Sequence, residues 1–142
     1  MSAQVRLNDE YWYAVTEDAL DDYGYILMPG VTAGQVKKHD GTGKAIGIAY
    51  KSTINPIISS TAVANVAVAI IRHGTVWVKF GTSHAAIAVG DSVKAVANGL
   101  GDKQTVTDDM TYAERKVRIG TALSALAINT AGYVQVDLDL PS

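Results

Sequence analysis

The stretch KKHDGTGKAIGIAYKS, residues 37–52, contains Gly41-Thr42-Gly43-Lys44, and its reading separates two folds: a phosphate-cradling loop ahead of a helix, or a turn between two strands. A Walker-type loop needs a glycine five positions before its Gly-Lys pair, so that successive N–H groups point inward, and a Ser or Thr after the lysine to hold magnesium. Here those positions are Lys38 and Ala45. The residues that follow, Ala45 to Ser52, are rich in glycine and β-branched side chains where a helix would have to start. Asp40-Gly41 with Gly43 therefore reads as a hairpin turn, with glycine supplying positive φ and the aspartate supporting the bend.

Strand patterns surround this turn. Val76, Val78 and Phe80 alternate with Thr75, Trp77 and Lys79, and Val134, Val136, Leu138 and Leu140 alternate with Tyr133, Gln135, Asp137 and Asp139. Period-2 alternation predicts strands with one dry face each. NVAVAII, residues 65–71, reads as a further strand, turned into the next by His73-Gly74. TDDMTYAERKVR, residues 107–118, is the one helix candidate, with Thr107 as its expected cap and Glu114 and Arg118 as an expected pair four residues apart. The chain also echoes itself. GQVKKHDGTGKAIGIAYKS (34–52) is followed by GDSVKAVANGLG (90–101) and RIGTALSA (118–125), and IRHGTVWVKF (71–80) by NTAGYVQVDL (129–138). Residues 34–80 and 90–138 thus read as a possible internal duplication, punctuated by turn residues Asp40, Gly41, Gly43, Gly74, Gly90, Asp91 and Gly132.

Composition bounds the rest. A chain of 142 residues with 48% hydrophobic and 18% charged residues can bury one core and fold unaided. With no cysteine, there is neither a disulfide framework nor a thiolate metal site. No signal-peptide pattern opens the chain, and no segment reaches the roughly 18 apolar residues of a membrane span, so a cytoplasm-like setting and no membrane partner are expected. Charge is uneven: residues 1–30 carry Asp9, Glu10, Glu17, Asp18, Asp21 and Asp22 against Arg6, whereas the remainder carries eleven Lys or Arg against eight acids. That scattered excess is too small for a nucleic-acid footprint.

Signals of catalysis are poor. His39, His73 and His84 stand singly beside turn residues, where solvated histidines are expected, and no metal or cofactor site is implied. The N-terminal acids read as a solvated face; a small hydrolase using Asp18 and Asp21 is a remote rival. Aromatics are more telling. Tyr11, Trp12 and Tyr13 cluster near the N-terminus, and Trp77 shares a polar strand face with Lys79. The first three serve either packing or docking. Trp77 is either covered by another segment or set in a contact between subunits or with a larger partner.

The run 37–52 with TVWVKF (75–80) resembles the middle of the phage lambda type of head decoration protein. AIAVGDSVKAVANGLG (86–101) with VRIGTALSALAINTAGYVQVDL (117–138) resembles the related tailed-phage capsid cement family. Together the likenesses cover roughly residues 34–140, through turn glycines and small apolar residues. They imply a mostly β, small β-barrel or sandwich-like domain of the β-tulip type, residues 26–142, with an extended N-terminal arm, residues 1–25, and at most one short helix. They further imply a non-enzymatic virion protein, assembled in the host cytoplasm. It would bind the outer surface of the expanded capsid and clamp neighbouring major capsid subunits as a homotrimer, formed either in solution or only on the shell. Tyr11, Trp12 and Tyr13 are then the expected capsid contacts and Trp77 and Lys79 the expected subunit contacts. A carbohydrate- or cell-surface-binding β module is the alternative of a different class.

Overall fold

The computed structural model describes residues 11–50, 64 and 66–140, with Tyr11, Trp12 and Val66 described by their backbone alone. In chain order its elements are β1 (Tyr11–Thr16), β2 (Ile26–Pro29), β3 (Gln35–Lys38), β4 (Gly47–Tyr50), β5 (Val66–Ile71), β6 (Thr75–Phe80), β7 (Ser92–Val96), β8 (Leu100–Gln104), α1 (Tyr112–Lys116), β9 (Arg118–Ala122) and β10 (Gly132–Leu138). The protein is mostly β. The first five strands close a barrel in the order β1-β3-β2-β4-β5, and the last five form a sheet in the order β6-β10-β9-β7-β8.

Alternation explains how the two layers share their strands. In β2 and β4, Leu27 and Ala49 point into the barrel with Ala14, Val36, Val68 and Ile70. Their neighbours Ile26 and Ile48 point out, and pack with Val76, Val78, Phe80, Val93, Ile119, Val134 and Val136 of the second sheet. A strand dry on both faces loses its alternation, which is why these short runs are continuously apolar. Val76, Val78 and Phe80, and likewise Val134 and Val136, are buried on the face that the alternation predicts, with Leu138 and Leu140 packed beside them.

The turn after β3 differs in kind from the predicted hairpin. β2 lies between β3 and β4, pairing with both, so residues 39–46 cross over β2 and do not join adjacent strands. The bend itself is as read: Gly41 has φ +95°, and Asp40 Oδ1 accepts from the Thr42 N–H at 2.9 Å and from its hydroxyl at 2.8 Å. Gly74 and Gly90 also take positive φ, Asp91 Oδ2 accepts from the Ala88 N–H, and Gly132 opens β10. Among the described residues the one helix is α1, capped by Thr111 in a box with Glu114, while Arg118 sits in β9 and pairs with Asp139 at 2.9 Å. Thr111 wins over Thr107 because its N3 residue is a glutamate, which returns the hydrogen bond.

His39 and His84 are buried, contrary to the solvated positions expected beside turns; His73 is exposed. His39 replaces solvent with the turn itself: its Nε2–H donates to the Gly43 carbonyl at 2.6 Å and its Nδ1 accepts from the Gly41 N–H at 2.8 Å. Burial, outweighing the Gly43 carbonyl and the Asp40 carboxylate, holds its pKa below the ordinary 6.5. Because the unfolded chain takes up this proton first, stability is lost as pH falls below about 6.5 and the loss continues down to the folded pKa. Calorimetry between about pH 7.5 and pH 5 should show a falling melting temperature, with a shallower fall in His39→Gln. Equal slopes in the two proteins would remove His39 as the cause.

Candidate docking surface

Residues 17–25, read as a solvated acidic stretch within an arm, instead tie the barrel to its surroundings. Glu17 accepts from the Val31 and Thr32 N–H groups at 3.0 and 2.6 Å, and Asp18 from the Lys38 N–H at 2.7 Å. Hydrogen bonds from Thr32 and Val31 hold Glu17 below the usual carboxylate range. Asp21 accepts from the Tyr25 hydroxyl at 2.6 Å, which lowers its pKa in the same way. Carboxylates satisfy N–H groups of the 31–32 loop and of the β3 edge that have no ladder partner, a role that their sequence spacing does not display. Asp9 and Glu10 lie outside the described residues. So does residue range 1–10 of the expected arm, while residues 11–16 form β1, paired with β5 and in parallel with β3.

Asp22 organises the next layer. It accepts from the Tyr23 N–H at 2.8 Å, from Lys79 Nζ at 2.9 Å and from the Tyr133 hydroxyl. Burial pulls its pKa up, but the Lys79, Tyr133 and Tyr23 hydrogen bonds together leave it below the usual range. Lys79 is correspondingly held above its ordinary value, its burial outweighed by Asp22. Its ammonium also lies 5.2 Å from the Tyr133 ring centre, and Tyr133 stacks on Tyr23 at 5.3 Å. Lys79, expected at a subunit contact, is thus engaged within its own chain.

Beside this network the surface is aromatic. Trp77 is 46% exposed and Tyr50 40%; with Tyr23, Ala49, Thr75 and Val76 they line a groove of about 300 Å³. Tyr23, Trp77 and Tyr133 bound a second hollow next to it. On the other side of strand β5, Tyr13 shares this face with Tyr50, since both pair in register with Ala69, and Tyr13 is 41% exposed. Tyr13 and Trp77 among the expected contacts are therefore at the surface. Tyr11 and Trp12 are register partners of Ile71 and Ile70, and no more is described of them. Sequence reasoning does not single out Tyr23, Tyr50 or Tyr133 as contacts. Tyr133 alternates with Val134 just as Trp77 does with Val78, and the pairing of β6 with β10 is the signal that connects them.

The Gly41-Thr42 turn lines a different pocket, of about 470 Å³, with Lys94, Lys103 and Lys116. Its N–H groups are consumed by His39 and Asp40, which leaves no nest for a phosphate. Among the described residues no group of three His, Asp or Glu side chains is placed to hold a metal, and no helix is long and apolar enough to cross a membrane.

The family model of the XM1 gp53 minor capsid protein matches residues 6–137. No curated protein matches the sequence. Among solved structures, "the crystal structure of head fiber gp8.5 N base in bacteriophage phi29" superposes with a TM-score of 0.58 at 13% identity, covering 91% of this chain and 92% of that one. At that identity the likeness is one of fold.

Proposed function

Because the chain belongs to the XM1 gp53 minor capsid protein family, a family of structural phage proteins, we propose that it docks by its aromatic face on the outer surface of the expanded phage head and bridges neighbouring major capsid subunits there. The family model that matches is not that of the lambda-type decoration proteins that the turns resemble, but both names are those of capsid-associated components. The fold likeness to the base of a head fiber suits an outward-facing position.

The observation that carries this reading is the concentration of Trp77, Tyr50, Tyr23 and Tyr133 on one face, with Tyr13 one strand beyond Tyr50 across β5. Half-exposed Trp and Tyr beside a satisfied polar network are the composition of an interface hot spot, where a few anchors supply most of the binding energy. Many copies on one shell then add avidity to modest single contacts. Self-association, as the expected trimer, would bring several such faces to one capsid junction.

Co-sedimentation with heads assembled from the major capsid protein of the same phage tests this, comparing expanded with unexpanded shells. Saturable binding to expanded shells is expected. Trp77→Ala should weaken it by about tenfold or more, a hot-spot loss, while the melting temperature stays nearly unchanged because the side chain is half in water. A stability loss near the roughly 3–5 kcal/mol of a core aromatic, with binding intact, would sink the role given to Trp77. An aromatic groove also suits stacking against sugar rings, the alternative reading. Binding to a glycan array with no affinity for either shell would favour that module over the capsid.

A further inference from the structure

The outer edge of β6 runs along the aromatic groove, and among the described residues its main chain is unpaired there. β6 is an edge strand, bonded on one side to β10. In an antiparallel pair, residues whose N–H and C=O face the partner strand alternate with residues whose groups point away. The Gly74 carbonyl accepts from Leu138 N–H at 2.9 Å, on the β10 side, whereas Lys79 N–H donates away from β10, to the Gly24 carbonyl, at 2.9 Å. Thr75 and Trp77 share the parity of Lys79, so their N–H and C=O groups point to the outer side. Among the described residues they meet no hydrogen-bond partner there.

Gly24 shows what this edge accepts. It docks as a single strand-like residue, donating to the Ala49 carbonyl and accepting from Lys79, and its φ of +92° then turns the chain away. Immediately beyond it, at Trp77, the groove of about 300 Å³ opens between the edge and Ala49-Tyr50 of the barrel. Outward groups on alternate residues recur about every 6.8 Å, the repeat of another β-strand. The groove has space for a few extended residues and not for a helix about 10–12 Å across. Its charged neighbour Lys79 is already neutralised by Asp22, so the lining selects uncharged side chains.

Resting on the reading that the protein docks on the head, we propose that this edge receives an extended segment of the major capsid protein, which adds as a strand beside Thr75–Trp77. Main-chain hydrogen bonds supply the attachment, and alternate apolar side chains of the segment lie between Trp77, Tyr50 and Tyr23. This also answers how an open edge is tolerated. Residues 75–77 carry none of the usual guards against edge pairing, neither a proline nor a lysine, because the edge is kept for a partner.

The test is residue-resolved hydrogen exchange on the full chain, free and bound to expanded heads. Exchange at the Thr75 and Trp77 amides should slow by about tenfold or more on binding, while Val76, already bonded to β10, stays unchanged. Trp77→Pro removes the outward N–H at an edge position where proline is tolerated, and should abolish binding while the fold remains. Trp77→Ala keeps that N–H, and the amide at position 77 should still be protected at the binding that remains. If Trp77→Pro fails to fold, the exchange pattern of the unaltered protein still decides. Binding to heads with Thr75 and Trp77 exchanging as in the free protein overturns the strand proposal and leaves the docking reading standing. No binding to heads overturns both. A shift of the Trp77 indole signal by free N-acetylglucosamine or rhamnose, without amide protection by heads, gives the groove to carbohydrate and also overturns it.

Discussion

Phe80→Ala is expected to cost about 3–5 kcal/mol, the largest single loss available to a side-chain truncation in this core. Phe80 is fully buried at the end of β6 and is among the largest of the wholly buried side chains. Its ring meets His84 edge-on at 5.0 Å and lies so close to Gly101 that a Cβ there would come within 2.5 Å of it. Neither neighbour can collapse into the void: His84 is pinned by its ring contacts to the Ala85 and Thr130 carbonyls at 2.7 Å, and Gly101 has no side chain to move. For a domain with a total stability of about 5–15 kcal/mol this is about a fifth or more. Chemical denaturation measures it, and a loss below about 1.5 kcal/mol would mean that the site relaxes. Folded Phe80→Ala should still bind heads, since only the opposite face of β6 carries Trp77. That contrast with Trp77→Ala separates stability from docking on one strand.

Gly120→Ala is expected to lose at least about 3 kcal/mol, for a reason of space and not of backbone angle. Gly120 sits in β9 opposite Leu138 of β10 and Val93 of β7, next to the register shift at Val93/Lys94. A Cβ there would overlap the Asp137 carbonyl oxygen and come within 2.9 Å of Val136 Cγ1. The first of these is main chain, so β10 itself would have to move away from β9. A melting temperature lower by roughly 10 °C or more is the expected reading, and a shift of only a few degrees would show that the sheet yields cheaply. Gly47 is placed alike, its added Cβ overlapping Ile70 Cγ2 and approaching the Ile71 carbonyl at 2.8 Å. The repeated Ile-Gly-x-Ala at 46–49 and 119–122 is thus a packing requirement in both places, one in the barrel and one in the second sheet.

The strands with one wet face were legible, because β6 and β10 alternate over their whole length and their inward residues need no knowledge of partners. The barrel was legible only as a class. β2 and β4 are four residues each and dry on both faces, so periodicity says nothing of which neighbour each takes. The parallel pairing of β1 with β3 is a consequence of closure and leaves no mark on YWYAVT. Trp77 could be singled out because it breaks an alternation. The groove around it could not, since Tyr23, Tyr50 and Tyr133 come together only through the packing of a loop, a barrel strand and a sheet strand. The roles of Asp18 and Asp22 stayed hidden for a similar reason: their partners Lys38, Lys79 and Tyr133 lie far along the chain.

Synthesis delivers the two layers one after the other. Every described barrel strand lies within residues 11–71 and every described strand of the second sheet within 75–138. A ribosome adding about 5–20 residues per second therefore exposes a complete set of barrel strands some seconds before β10 emerges. During that interval Ile26 and Ile48, which face the second sheet in the finished protein, have no cover. The nascent chain passes through a stage with a greasy flank, and slowing translation after residue 71 should lengthen its dependence on chaperones.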